Sequence, residues 1–219
     1  MRGIAFIGGA GPGSEQCGSL IAGADIIVAA DSGLIAAEEA GIQPDWILGD
    51  MDSLDDLGRL AQYPLGRVIR YPTDKDYTDT ELALRFLWEK GVDETWLVGG
   101  GGGRTDHLFA IRSLFERERC PDRWLTAAED IRCLTMEQEL VCTLPSNSLV
   151  SVFPLGLGPW KAESRGLKWP LEGLPWDQGF FGISNRVVEG AFAIYAHEGR
   201  FLVILPLAQS LPRTCADTN

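Results

Sequence analysis

Ile26-Ile27-Val28-Ala29-Ala30-Asp31-Ser32-Gly33 sets five apolar residues directly against an acidic turn, and the first half of the chain repeats the arrangement. Trp46-Ile47-Leu48 leads into Gly49-Asp50-Met51-Asp52-Ser53. Val68-Ile69-Arg70-Tyr71 precedes Asp74-Lys75-Asp76-Tyr77-Thr78-Asp79. Thr95-Trp96-Leu97-Val98 runs into the glycines Gly99 to Gly103, followed by Arg104-Thr105-Asp106. Short apolar runs that alternate with helical patterns read as buried parallel strands. In an open α/β sheet, the loops leaving the carboxyl ends of such strands form the ligand crevice, so these carboxylates are expected to converge. Converging like charges repel, which calls for a divalent cation among them, and the glycines leave room for a phosphate. The pattern points to metal-dependent chemistry on a nucleotide.

Helical spacing fills the gaps between the apolar runs. Thr80 to Lys90 places Leu82, Ala83, Phe86 and Leu87 on one face, and Leu108 to Arg119 does the same with Leu108, Ile111, Leu114 and Phe115. Asp79 and Asp106 stand just ahead of these two helices, where an Asp is commonly an N-cap and where phosphate also prefers to sit. From about residue 128 the text becomes β-like. Glu139-Cys142, Leu149-Phe153, Val187-Glu189, Ala191-Tyr195 and Phe201-Leu205 read as short strands separated by turn signals. The expected fold class is α/β: an N-terminal, mostly parallel-sheet nucleotide-binding domain over 1–127, then a C-terminal antiparallel β-sandwich over 128–219. Arg213 to Asn219 are expected to fray.

Composition narrows the function classes. The 219 residues carry a net charge of -12, which argues against nucleic acid or an anionic membrane as partner. No segment approaches the roughly 20 apolar residues of a membrane span. The apolar part of Met1 to Gly9 is too short for a signal peptide and reads as a first strand. Five scattered cysteines with no Cys-x-x-Cys pair indicate neither a disulfide framework nor a zinc site, and suit a reducing cytoplasm.

Two glycine motifs are weaker than they look. In Gly8-Gly9-Ala10-Gly11-Pro12-Gly13, Ser14 stands where a dinucleotide fingerprint needs its third glycine. In the five-glycine run, Val98 and Arg104 replace the first glycine and the lysine of a Walker loop, so this is not a Walker ATPase. Asp50-Met51-Asp52 is the strongest single chemical signal. Two carboxylates at i and i+2 of an extended stretch point the same way, so both bind one Mg²⁺, or one binds it while the other orients a water. The same dipeptide spacing occurs in ordinary turns and in glycosyltransferases. Trp160, Trp169 and Trp176 lie in a loop-rich stretch and could offer an aromatic face to a flat or cationic ligand.

Six ordered motifs give the chain a resemblance. Ala30-Asp31-Ser32-Gly33, Pro44 to Ser53, Asp74 to Glu81, Gly103 to His107, Gly166 to Leu171 and Gly182-Ile183-Ser184-Asn185 together resemble the thiamine pyrophosphokinase (thiamine diphosphokinase) family over nearly the whole length. The resemblance implies Mg²⁺-dependent transfer of pyrophosphate from ATP to the hydroxyl of thiamine, giving thiamine diphosphate and AMP. It implies Asp50, Asp52 and Asp79 as metal ligands, with Asp106 as a further catalytic acid. Asp31, Ser32, Gly33, Lys75, Thr78 and Arg104 would hold ATP, and Trp169, Ser184 and Asn185 would hold thiamine. It also implies a cytoplasmic homodimer with the active site between subunits. Arg186 departs from the acidic residue that many bacterial relatives carry after the Ser-Asn pair, and the glycine run is longer than usual.

Overall fold

The computed structural model describes residues 1–54, 56–207 and 216–218. The chain divides into two compact units, Met1–Leu114 with Cys120–Ala128, and Phe115–Arg119 with Glu129–Asn219.

In the first unit, six described strands pair in parallel: β1 (Arg2–Phe6), β2 (Ile26–Ala30), β3 (Trp46–Gly49), β4 (Val68–Arg70), β5 (Glu94–Val98) and β6 (Arg123–Leu125). Their order across the sheet is β6-β5-β1-β2-β3-β4. The apolar runs form these strands because both faces are covered. Ile4, Val28, Ile47, Leu48 and Leu97 are fully buried. Helices α1 (Ser14–Leu20), α2 (Gly33–Glu39), α3 (Asp79–Glu89) and α4 (Thr105–Leu114) follow β1, β2, β4 and β5. In α3 the face turned inward carries Ala83, Leu84, Phe86 and Leu87, so Leu84 takes the place expected of Leu82. The second helix stops at Leu114, short of the expected Arg119. Strand order reverses beside β1, since β2 lies on one side of it and β5 on the other. That makes the carboxyl ends of β1 and β5 the topological switch point.

The second unit is antiparallel throughout its described pairs. Strands β7 (Glu129–Leu134), β9 (Leu149–Leu155), β11 (Gly182–Arg186) and β13 (Arg200–Pro206) run in the order β11-β9-β13-β7. Strands β8 (Gln138–Thr143), β10 (Lys161–Arg165), β12 (Ala191–Glu198) and β14 (Ala216–Thr218) form a separate sheet, β10-β12-β8-β14. Inward-facing Leu140, Phe192 and Ile194 of the second sheet share one core cluster with Val150, Val152 and Phe201 of the first. Val187-Val188-Glu189 is not a strand. Val187 makes only an isolated bridge to Leu167. Of the tail expected to fray, Ala216–Thr218 pair with β8, and Arg213 to Cys215 and Asn219 lie outside the described residues. Cys142 is disulfide-bonded although spacing indicated no such framework, while Cys17 is a free, buried thiol. Among the described residues, no helix is long and apolar enough to cross a membrane.

Phe201 is fully buried and meets Trp176 edge-on at 5.2 Å. Phe201→Ala is expected to lower stability in a denaturant titration by about 3–5 kcal/mol. Leu157, 84% exposed, should tolerate the same change within about 0.5 kcal/mol. Equal effects at the two positions would contradict this core.

Candidate active site

Three carboxylates meet at the carboxyl ends of the parallel strands. Asp31 follows β2, Asp50 follows β3 and Asp79 opens α3, and one oxygen from each lies within 4.8 Å of the others. At that separation, and at an effective dielectric of about 20, each pair of charges repels by roughly 3–4 kcal/mol. The local backbone is shaped to permit the approach. Gly49 sits at φ +144°, and a Cβ there would stand 3.2 Å from both Asp31 Cβ and Asp79 Oδ1. Asp31 itself adopts φ +50°, a conformation uncommon outside glycine, and its carboxylate accepts a short hydrogen bond from Ser53 Oγ.

Asp79 was expected to cap its helix, but Thr78 does so instead. Thr78 Oγ1 accepts from Glu81 N at 3.3 Å while Glu81 Oε2 accepts from Thr78 N at 2.9 Å, a complete capping box. With the cap supplied by its neighbour, Asp79 is released from that task and turns to the acidic group.

Lys75 partly neutralises the cluster. Its Nζ donates to Asp50 Oδ2 at 2.5 Å and stands 3.3 Å from Asp79 Oδ1, an ion-pair contact without hydrogen-bond geometry. The hydrogen bond from Lys75 pulls the Asp50 carboxyl below the usual range. Burial raises Asp79 despite the opposing charge of Lys75. Burial also acts to lower the Lys75 ammonium, but its hydrogen bond to Asp50 and the charge of Asp79 outweigh it, so its pKa is raised. Asp31 Oδ1 and Asp79 Oδ1 remain buried without a hydrogen-bond donor. Two orphaned carboxylate oxygens beside a third carboxylate suit a hard divalent cation with oxygen ligands.

The remaining sequence candidates distribute unevenly. Asp52 is exposed and lies outside the three-carboxylate group, although its side chain neighbours Asp50, whose hydrogen bond and negative charge raise its pKa. The stretch between these two residues is not extended, because Met51 adopts φ +65°. The side-chain alternation of a strand therefore does not apply there. Ser32 flanks the cluster, its N–H donating to Ser53 Oγ at 3.1 Å. Gly33 is fixed by close approach, since a Cβ there would stand 2.1 Å from Phe6 O. Arg104 and Asp106 form an exposed two-pronged ion pair at the start of α4, and the Arg104 hydrogen bond holds the Asp106 carboxyl down to about 2. Asp106 is not among the three converging carboxylates.

The glycine run is pinned to the loop after β1. Ala10 N donates to Gly101 O at 2.7 Å, Gly101 N to Ala10 O at 3.0 Å and Gly100 N to Gly8 O at 3.1 Å. Beside this junction is a cavity of about 300 Å³, lined by Phe6, Gly11, Pro12, Val98 and the Ala36–Ala40 end of α2. It lies at the switch point identified from the strand order.

In the second unit, Trp169 is half exposed and Ser184 is exposed, whereas Asn185 is buried with its amide engaged by Trp169. Trp160 donates to Leu155 O and Trp176 packs on Phe201, so these two tryptophans serve the fold. Sequence reasoning expected the acidic turns to converge and gave Asp31 to the nucleotide; the structure sets it within 4.8 Å of Asp50 and Asp79. The signal was available, because Asp31 ends its apolar run as Asp50 ends its own.

Comparison with known proteins bears on the chain at the level of segment and fold. Residues 17–121 match the family model described as thiamin pyrophosphokinase, catalytic domain. A segment of 82 residues is 35% identical to thiamine pyrophosphokinase of Bacillus subtilis strain 168, spanning 37% of this chain and 38% of that protein. The solved structure of thiamin pyrophosphokinase from Geobacillus thermodenitrificans superposes with a TM-score of 0.74 at 25% identity, covering 96% of this chain and 99% of that one. A thiamin pyrophosphokinase family protein from Enterococcus faecalis gives 0.75 at 25% identity, over 95% and 100%. The chain is thus similar to thiamine pyrophosphokinases in its catalytic segment and in its fold. The reaction of the family is transfer of pyrophosphate from ATP to thiamine, and its members typically need a divalent metal.

Divalent-metal binding at the three carboxylates should stabilise the folded chain by linkage. Millimolar Mg²⁺ is expected to raise the melting temperature of the wild type, and Asp31→Asn should lose most of that shift. An undiminished shift in the variant would place the ion elsewhere.

Proposed function

We propose that this chain is a thiamine diphosphokinase that transfers pyrophosphate from ATP to the hydroxyl of thiamine, with Mg²⁺ as the metal. The observation that carries the reading is the convergence of Asp31, Asp50 and Asp79, with two orphaned oxygens, at the crevice end of a parallel sheet. We read the first unit as the nucleotide-binding domain and the paired antiparallel sheets as a β-sandwich that binds thiamine, near the expected division at 127/128 except that Phe115–Arg119 belong with the second unit.

In this reading Asp31, Asp50 and Asp79 hold the ion, and Asp52 bears on it from the exposed side. Mg²⁺, when bound, supplies charge neutralisation at the polyphosphate. Lys75, seated between Asp50 and Asp79, is placed to pass its positive charge from the carboxylates to the phosphates as they arrive. Ser32, Gly33 and Thr78 border the nucleotide, while Arg104 offsets phosphate charge from the glycine loop and Asp106 fixes the guanidinium. The thiamine hydroxyl oxygen attacks the β-phosphorus in line, the bond to the bridging oxygen of AMP breaks, and the hydroxyl proton is released. Positioning supplies much of the acceleration in a transfer of this kind. Trp169 stacks on the flat, cationic substrate and Ser184 hydrogen-bonds its aminopyrimidine. A cytoplasmic setting, where ATP is at hand, suits the reaction.

Wild-type protein with ATP, Mg²⁺ and thiamine is expected to yield AMP and thiamine diphosphate in equal amounts. Asp50→Asn should reduce turnover by about a hundredfold or more while the fold persists. Near-normal turnover of this variant at saturating Mg²⁺ would remove Asp50 from the machinery.

We further propose a homodimer in which the acids of one subunit and Trp169 of the other complete each site. Two features support it. The acids and Trp169 belong to different units, and Leu149, Phe181, Ile183 and Val188 leave large apolar surface exposed on the unit that bears Trp169. Sedimentation at assay concentrations should show a dimer, whereas a fully active monomer would contradict the shared site.

A further inference from the structure

Trp169 exposes half of its indole, yet its main chain is held by another side chain. Asn185 is only 5% exposed. Its Oδ1 accepts from Trp169 N at 3.1 Å and from Arg186 N at 2.8 Å, and its Nδ2 donates to Trp169 O at 2.6 Å. A primary amide offers the same donor and acceptor as a peptide group, so this side chain stands in for a neighbouring strand. The backbone around it supports that substitution. Lys168 N donates to Arg186 O at 2.8 Å and Val188 N to Gly166 O at 2.9 Å, and Leu167 bridges Val187. Main-chain pairing ends at Lys168, and the Asn185 amide extends it by one residue.

The local geometry of β11 is bent to bring this about. In a regular strand residues 183 and 185 would share a face. Here the register against β9 shifts between Gly182 and Asn185, and Ser184 adopts φ +59°. The bulge turns Asn185 inward while Ile183 stays 55% exposed. The indole that results presents its π-face to a cation already, since Lys168 Nζ stands 4.7 Å from the ring centroid.

We propose that Asn185 is a positioning residue for the substrate-binding indole: it clamps the main chain of Trp169 and acts on thiamine through that side chain. Both acceptor positions of its Oδ1 are occupied by backbone donors, and the group is buried. The inference rests on the reading of Trp169 as the thiamine platform.

Asn185→Ala, Trp169→Ala and the double variant test it in two independent ways. Amide hydrogen exchange at Trp169 should be about tenfold faster or more in Asn185→Ala, because the carbonyl and N–H lose their partner. This readout needs no substrate, and unchanged exchange would overturn the clamp. In the activity assay, Asn185→Ala should raise KM for thiamine about tenfold with kcat and KM for ATP within about twofold. In the Trp169→Ala background, the same substitution should change KM for thiamine by less than about twofold, because its effect passes through the indole. A full-sized effect in both backgrounds would show direct contact with the substrate and overturn the proposal. If Asn185→Ala does not fold, Asn185→Asp keeps the acceptor for both N–H groups and replaces the donation to Trp169 O by a repulsive carboxylate oxygen. Its rise in KM for thiamine should likewise vanish without the indole, and persistence would overturn the proposal. A wild type that makes no thiamine diphosphate would sink the functional reading, while the exchange rate still decides the clamp.

Discussion

Mutual repulsion among Asp31, Asp50 and Asp79 is the constraint around which the first unit is arranged. Parallel strands deliver residues to a common end, and these three are delivered close enough to oppose one another by several kcal/mol in sum. The arrangement is held because the strands beneath it are buried on both faces and cannot yield individually. Around it stand the adaptations that repulsion requires. Gly49 removes the Cβ that would force Asp31 and Asp79 apart, Thr78 takes over the cap, and Lys75 supplies a positive charge of the right reach. A lysine bridging Asp50 and Asp79 offsets part of that repulsion.

The second unit solves a different problem, that of holding a large aromatic side chain in water. Exposed tryptophan on a loop is ordinarily mobile, and mobility weakens binding through the entropy of ordering it. A shared apolar core beneath two sheets supplies rigidity, and the bulge in β11 converts it into a fixed main chain at Trp169 by way of Asn185. Backbone strain at Ser184 and a buried amide are thus offset by an ordered surface feature. Both units follow one pattern, in which departures from regular geometry cluster where chemistry is expected.

The strand ends were legible because burial on both faces leaves an uninterrupted apolar run, and the acidic turns after them mark the crevice side. Helix α3 was legible for its 3.6-residue period. The backbone between Asp50 and Asp52 was not legible. The i, i+2 rule assumes an extended backbone, and Met51 at φ +65° breaks that assumption in a way no periodicity shows. Strand β7 was missed because Asp130 and Arg132 sit buried on one face, paired at 2.8 Å, so charges occupy core positions. Strand β10 was missed because its inward residues are only Ala162 and Ser164. The role of Asn185 was hidden because a side chain completing a backbone ladder leaves no signature in the order of residues. Its motif was visible, but the direction of its amide was not.

The account stands or falls on where the divalent ion binds. Crystals soaked in Mn²⁺ and measured near its absorption edge would locate the ion by anomalous scattering. The account predicts one strong peak about 2.0–2.2 Å from oxygens of Asp31, Asp50 and Asp79, with the Lys75 ammonium moved away from Asp50. A peak held by other residues, such as Asp106, with Lys75 still bridging Asp50 and Asp79, would contradict it.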